Sequence, residues 1–332
     1  MVRIPSRSAC YSGIILPLPE KSLIARIRSC ASTRKGLIAG IGDDCAILRL
    51  PHGHEFLVTT DFSLEKVHFR REWHPPEVVG HRCLVRGLSD IAAMGGEPIA
   101  AFLSLALPPK LPQTWVDRFV AGLLKLADEC KVTLAGGDTA ESPAGILADI
   151  VVVGSAPKGK AIRRSGARPG DRIYVTGELG GSAATLDLLF SGRKLRIASY
   201  PRHYHPIPRI EVGRWLRDHG LASAMIDTSD GLSTDSAHIC EESSVGAEID
   251  VHAIPRASIG RPTHMVDLKF ALHGGEDYEL LFTAPERRRV PNKIAGVPVT
   301  EIGRICLDAG LYLISDSQRT ELKPEGWQHF NR

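Results

Sequence analysis

The sequence predicts an α/β protein with mixed, α+β-like sheets, arranged as two α/β halves. Strand-like and helix-like patterns alternate along the chain, as they do where helices cover sheets. Several strand patterns succeed one another with no helix between, so the sheets are not purely parallel. The turn Pro157-Lys158-Gly159-Lys160 divides the pattern near the middle of 332 residues, a length that suits two domains.

Each element has its reason. Residues 1–19 read as a poorly ordered leader: the apolar run Ile14-Ile15-Leu16 is short and is cut by Pro17 and Pro19, unlike a signal peptide. The first half, residues 20–157, opens with a helix over Glu20–Ser29 that carries Leu23, Ile24 and Ile27 on one face. Phe56–Thr60 is a strand expected to deliver Asp61 at its end. Glu77–Met94 is a helix closed by Gly95-Gly96 and Pro98. Ile99–Leu107 reads as a buried strand and Trp115–Cys130 as an amphipathic helix. Val132–Ala135 is a short strand leading into Gly136-Gly137-Asp138, and Ala148–Gly154 is another strand. The second half, residues 158–332, begins with strand Arg172–Thr176, after which Gly177-Glu178-Leu179-Gly180-Gly181 opens a helix. Pro208–His219 is a helix stopped by Gly220. Ala224–Ile226 is a strand running into Asp227. Val245–Val251, Tyr278–Thr283, Val299–Gly303 and Leu311–Ile314 are further strands. His203-Tyr204-His205, set among prolines, reads as a loop and not a metal site.

Bulk properties exclude several classes. Hydrophobic residues at 43% and charged residues at 24% suit a globular protein with a real core. A net charge of +3, with Lys and Arg scattered, lacks the basic stripe of a nucleic-acid binder. No apolar run is long enough to span a membrane. The seven cysteines include no C-x-x-C pair, so neither a zinc site nor a disulfide framework is suggested, which fits a cytoplasmic protein.

The acidic residues in unusual places are few. Asp43 and Asp44 come after Gly42; Asp61 comes after a strand; Asp90 lies within an apolar helix; Asp138 comes after Gly136-Gly137; Asp227 and Asp230 come after Ala224–Ile226. A strand end with glycine is where α/β folds present ligands. A lone carboxylate there is equally a solvated turn or a helix N-cap, and Asp230 suits the latter. Five such places in one chain point instead to a divalent cation, and all-oxygen donors favour Mg²⁺ or Ca²⁺ over zinc. Asp227–Gly231 fails as an EF-hand, with its glycine one place early and His238 where the bidentate Glu belongs. A dispersed Asp set with glycine loops suits Mg²⁺ shared with phosphates.

Two phosphate motifs are near misses. Gly154–Ala161 resembles a P-loop, but Ala161 replaces the Ser or Thr that binds Mg²⁺, and glycine and proline break the stretch 163–170 where the long helix should run. Gly177–Gly181 is not G-x-G-x-x-G. It, Gly136-Gly137 and Gly274-Gly275 still offer backbone N–H groups, although such pairs are often simple turns. Arg164, near the seam, is a candidate phosphate ligand.

Taken in order, GIGDDCAIL (Gly40–Leu48), TTDFSLEKVHF (Thr59–Phe69), LSDIAAMGGEP (Leu88–Pro98), AGGDTAES (Ala135–Ser142), RSGARPGDRIYVTGELG (Arg164–Gly180), IDTSDGLSTD (Ile226–Asp235), GGEDYELLFT (Gly274–Thr283) and GWQHF (Gly326–Phe330) resemble the thiamine-monophosphate kinase family, within the aminoimidazole-ribonucleotide synthetase-like superfamily. The resemblance spans Glu20 to Phe330. It implies a homodimer with an interface β-barrel, ATP bound in the adjacent cleft, and transfer of phosphate from ATP to thiamine monophosphate. It implies Mg²⁺ ions held by Asp44, Thr59, Thr60, Asp61, Asp90, Asp138, Asp227 and Asp230, with Asp43 beside them. Gly137, Asp138, Arg164 and Ser229 are implied ATP contacts; His68, Glu276 and Trp327, contacts to the thiamine substrate. Asp61, Asp138 and Asp230 are the implied catalytic carboxylates. The sequence departs from the pattern at Pro19-Glu20 after its long leader, at Gly87 where Asn is usual, and at Lys66 where a small residue is usual. The alternatives are a related ATP-dependent activation of another acceptor and a non-catalytic Mg²⁺–nucleotide sensor.

Overall fold

The computed structural model describes residues 18–34, 36–42, 45–316 and 318–327. Most of the leader, Asp43, Asp44 and Gln328–Arg332 lie outside the described residues. Among the described residues, no helix is long and apolar enough to cross a membrane.

The first half runs α1 (Glu20–Cys30), β1 (Leu37–Ala39), β2 (Ile47–Leu48), β3 (His54–Leu64), α2 (Pro76–Ala93), β4 (Glu97–Leu107), α3 (Gln113–Glu129), β5 (Thr133–Glu141) and β6 (Leu147–Pro157). Four of its strands form one sheet in the order β3-β6-β4-β5, antiparallel except for the β4–β5 pair. Proline suits the start of α2, where its missing N–H would have had no helical partner. At the other end Gly95, with φ +65°, turns the chain so that Gly96 N–H donates to Ile91 O at 2.8 Å.

Two strands run further than their sequence predicts. β3 continues through Asp61 to Leu64, so Asp61 lies inside the strand and not at its end. Pairing with β6 from His54↔Pro157 to Leu64↔Leu147 outweighs the poor strand propensity of Asp. β5 likewise continues through Gly136-Gly137-Asp138 to Glu141, held by its parallel ladder to β4. β3 turns Leu57 inward, while Phe56, Val58 and Phe62 on its other face are 50%, 65% and 55% exposed.

The second half runs β7 (Arg172–Thr176), α4 (Gly181–Phe190), α5 (Pro201–Tyr204), α6 (Ile210–Asp218), β8 (Ala224–Asp227), α7 (Leu232–Ser243), β9 (Gly246–Asp250), β10 (Ser258–Ile259), β11 (His264–Met265), α8 (Leu268–His273), β12 (Leu280–Ala284), β13 (Lys293–Ile294), β14 (Val297–Cys306), β15 (Gly310–Ser315) and β16 (Gln318–Glu321). Its main sheet is eight-stranded, ordered β16-β15-β9-β14-β7-β12-β8 with β13 paired to β14. The β9–β15 pair is parallel and the rest antiparallel, the mixed character the sequence suggests. His203-Tyr204-His205 is not a plain loop: α5 carries His203 and Tyr204, both buried. Asp230 does not N-cap α7, whose N-cap is Gly231; Asp235 accepts instead from the N–H groups of Asp230 and Gly231 at 3.3 and 3.0 Å.

The halves share an apolar core, and the second half has a further cluster of its own around Val175, Ile249 and Leu281. Leu84, Leu88 and Ile91 of α2 and Ile150 and Val152 of β6 belong to the same cluster as Leu216 of α6, Met225 of β8 and Phe282 of β12. α6 crosses α2 at Gly213, where any Cβ would run into the Ala92 carbonyl.

Gly87 is as tightly held. A Cβ there would come within 2.6 Å of Val152 Cγ2. Gly87→Asn, which restores the usual family residue, is expected to destabilise the fold by about 1–3 kcal/mol through overpacking. Val152→Ala in the same chain should recover most of that loss in urea unfolding; equal stability of Gly87→Asn and the parent would show that the contact is not limiting. Lys66 has φ +70°, a backbone that favours Gly or Asn and suits the small residue usual there.

Candidate active site

Helix α2 carries Arg82, Arg86 and Asp90 four residues apart, on one face. That face meets β3 and the second half. Thr59 Oγ1 donates to Asp90, and Ser89 Oγ donates to Asp227 Oδ2 at 2.6 Å. Asp227 is the last residue of β8, and the loop beyond it carries Ser229 and Asp230. The 274–278 loop brings in Glu276, with Glu276 N–H donating to Ser229 O at 2.9 Å. Trp327 N–H donates to Asp230 O at 3.2 Å, so the C-terminal segment lies over the same loop. His68 is oriented by Leu64 N–H, which donates to its Nδ1 at 2.9 Å.

A cleft of about 770 Å³ between the halves is lined by Asp61, His68, Arg86, Asp90, Arg164, Asp227, Ser229, Asp230, Glu276 and Trp327. All but Arg86 are expected from the sequence. Its far wall is aromatic: Trp73 meets Phe190 of α4 edge to face at 4.9 Å, with the Arg70 guanidinium 4.7 Å from the Trp73 ring.

Strand alternation separates the remaining expected residues. Thr59 and Asp61 face α2. Thr60 faces the opposite, open side of the sheet, where its Oγ1 donates to Asp149 Oδ1 at 2.7 Å. Asp138 shares that open side, since it pairs with Ser104, which pairs with Asp149. Asp138 and Gly137 line a second cleft, of about 540 Å³, with Gly40, Ile41, Gly42 and Cys45. Those residues flank Asp43 and Asp44, which lie outside the described residues.

Electrostatics divide the main cleft into two ends. At one end, burial and then repulsion from Asp90 push the Asp61 carboxyl up to about 7, against the pull of Arg86. Burial, seconded by Asp90, likewise raises Asp227 to about 7. Burial raises Asp90 as well, although Thr59 and Arg164 oppose it. At the other end, burial would raise Glu276, but Arg82 and Arg86 hold it down at about 2. Glu276 is therefore a fixed anion. Its φ of +64° and the +52° of Tyr278 are strained backbone conformations that favour glycine.

The carboxylate end has the chemistry of a divalent-cation site. Asp61 Oδ2 is enclosed with no hydrogen-bond donor beside it among the described residues, and its close neighbour is another carboxyl, that of Asp90. Mutually repelling carboxylates gathered around it are the donor set a hard cation favours. Among the described residues no three such side chains converge tightly enough to close a metal site by themselves. The donors therefore fit a cation shared with ligand oxygens.

Several residues in and behind the cleft wall are missed by the sequence alone. Arg82 and Arg86 had a visible signal in their four-residue spacing to Asp90. His74 and His203 had none: their Nε2 atoms meet at 2.9 Å across 129 residues, and His203 Nδ1 lies 3.0 Å from Ser182 Oγ. Burial first, and Arg82 second, lower both imidazoles, His74 to about 4 and His203 well below the ordinary range.

Family models match two stretches: AIR synthase related protein, N-terminal domain, over residues 42–156, and AIR synthase related protein, C-terminal domain, over residues 168–315. A thiamine-monophosphate kinase of Salmonella typhimurium is 40% identical over 328 residues, covering 94% of this chain and 98% of that relative. The crystal structure of thiamine-monophosphate kinase from Stenotrophomonas maltophilia K279a is 34% identical with a TM-score of 0.77, covering 90% of this chain and 97% of that one. AaThiL complexed with AMPPCP and TMP is 33% identical with a TM-score of 0.75, covering 93% and 96%.

Proposed function

The chain belongs to the thiamine-monophosphate kinase family, and on that premise we propose that it transfers the terminal phosphoryl group of ATP directly to thiamine monophosphate, giving ADP and thiamine diphosphate. The observation that carries this reading is the single cleft, with buried carboxylates at one end and a fixed anion beside an aromatic wall at the other.

The chemistry explains the layout. The acceptor is a phosphate monoester whose attacking oxygen is already anionic, so no strong base is needed. The obstacle is bringing two polyanions together: two like charges at 4 Å repel by about 4 kcal/mol at an effective dielectric of 20. Bound Mg²⁺ ions would cancel that charge. Asp61, Asp90, Asp227 and Asp230, with Thr59, are the residues that would hold them in the main cleft. Thr60 and Asp138 are the proposed ligands on the open side of the sheet, and Asp43 and Asp44 are further proposed ligands. Asp61, Asp138 and Asp230 are the proposed catalytic carboxylates. Arg164, Ser229 and Gly137 orient the ATP phosphates, so that donor and acceptor meet in line. His68, Glu276 and Trp327 receive the thiamine moiety. The test is to incubate the protein with ATP, thiamine monophosphate and Mg²⁺, then separate the products. Thiamine diphosphate should appear, and excess chelator should stop its formation; full activity in chelator would remove the Mg²⁺ requirement. The protein acts in the cytoplasm, without nucleic-acid or membrane partners.

Trp327 is 56% exposed and lines the cleft. An indole face attracts the thiazolium cation and stacks on the pyrimidine, worth about 0.5–2 kcal/mol. Trp327→Ala should raise KM for thiamine monophosphate roughly 2- to 30-fold and leave KM for ATP nearly unchanged. If both rise together, or Tm collapses, Trp327 is a structural plug.

The open sheet face supports a homodimer. Phe56, Val58 and Phe62 form an exposed apolar stripe on β3, and the occupant proposed for it is the same face of a second copy, closing an interface barrel. The protein should run at twice its chain mass in light scattering at micromolar concentration, and Val58→Glu should shift it to monomer. A monomeric parent protein would overturn the dimer.

A further inference from the structure

We propose that Arg86 holds the acceptor phosphate, and that Arg86 and Glu276 together read the two opposite charges of the acceptor; the proposal rests on the thiamine monophosphate reading of the cleft. Thiamine monophosphate carries a fixed thiazolium cation and a phosphate anion. The cleft offers the matching pair in the order the reaction needs.

That order is visible in the contacts. Asp61 feels Arg86 as a neighbouring cation. Arg86 donates to Glu276 Oε1, while Arg82 donates to Glu276 Oε2 and to His203 O. His203 meets His74, and beyond His74 stand Trp73 and Phe190. The order across the cleft is therefore carboxylates, guanidinium, carboxylate, aromatic wall. A nucleotide–Mg²⁺ end, an acceptor phosphate, a thiazolium and a pyrimidine fall on these in turn.

Arg86 is also the guanidinium with capacity to spare. Its side chain is only 13% exposed, yet among the described residues its one hydrogen bond goes to Glu276. Its Nε is enclosed with no partner among them. A guanidinium has five N–H donors, and one buried this deeply normally uses several. Arg82 and Arg209 do so: each makes two hydrogen bonds, Arg82 to Glu276 and His203 O, Arg209 to both oxygens of Glu279. Arg86 lines the cleft and Arg82 does not. A phosphate in the cleft accepting from its unused terminal N–H groups supplies the missing partners. A purely structural counter-ion to Glu276 would leave those donors no purpose.

The test is calorimetric titration, in Mg²⁺ buffer without ATP, of thiamine monophosphate and of thiamine lacking phosphate. The parent protein should bind the monophosphate. Arg86→Gln should weaken the monophosphate about 10- to 100-fold, the range for losing hydrogen bonds to a charged group, and change thiamine by less than about threefold. Arg86→Lys should fall between, because it keeps the charge and loses the fork; it carries the test if Arg86→Gln does not fold. Equal loss for both ligands makes Arg86 a structural support for Glu276, and unchanged monophosphate affinity removes it from the phosphate; either overturns the proposal. A parent protein that binds neither ligand overturns the reading of the cleft itself.

Discussion

Asp61→Asn is expected to lower kcat at least a hundredfold while the protein stays folded. A hundredfold corresponds to about 2.7 kcal/mol of transition-state stabilisation, the scale of losing one charge that positions a cation at the reacting phosphates. The fold should tolerate the change. Asp61 is held near 7 by burial and by Asp90, so its charged form is the one the folded state disfavours. A neutral isostere removes that penalty, and Tm should hold or rise. Asp138→Asn, on the open side of the sheet, is expected to lose as much activity. Steady-state kinetics with circular dichroism checks both. A loss under tenfold would return Asp61 to an ordinary buried carboxyl and Asp138 to an ordinary strand residue.

The largest stability effect is expected at Glu276. Glu276→Leu leaves the Arg82 and Arg86 guanidinium groups facing each other without their shared counter-charge, and removing one partner from a buried ion pair costs about 3–5 kcal/mol. The pH dependence has a definite sign. The folded-state pKa of Glu276 is depressed to about 2, so its contribution is fully present above the ordinary glutamate value of 4.5. It is lost as pH falls from there through about 2. Urea unfolding at pH 7 and pH 5 should show the same gap between parent and variant, and the gap should shrink only in more acid solution. A difference within 1 kcal/mol at pH 7 would mean that the two arginines find other partners.

Much of the fold was legible because its signals are local. The apolar periodicity of Trp115–Cys130, the Gly95-Gly96 stop and the strand run ahead of Asp227 each depend on neighbours in sequence. The hidden features depend on partners far along the chain. β3 reads past Asp61 only because β6 pairs with it. α7 buries Ser233, Thr234, Asp235 and Ser236 beside Leu232, Ile239 and Cys240, so the apolar stripe that would mark a helix is broken by polar residues. The site shows the same division. The carboxylates announced themselves by their settings, after glycines, after strands or inside an apolar helix. Their grouping did not, because Thr59, Thr60 and Asp61 look like one cluster until the strand sends Thr60 to the opposite face. The histidine pair was invisible for a simpler reason: His74 and His203 acquire their meaning only by touching.

The core common to both halves has a mechanical meaning. Leu216, Met225 and Phe282 are packed into the same apolar mass as α2 and β6. Prising the halves apart would open that mass to water at about 25 cal/mol for every Å² of apolar surface. The cleft is thus a slot milled into one block and not a jaw between two. Its width is set at folding, so substrates and products must be admitted by movements of rim side chains and the short segments that carry them. Selection among candidate substrates then rests on what already fits the slot, with little energy available from closing around a looser guest.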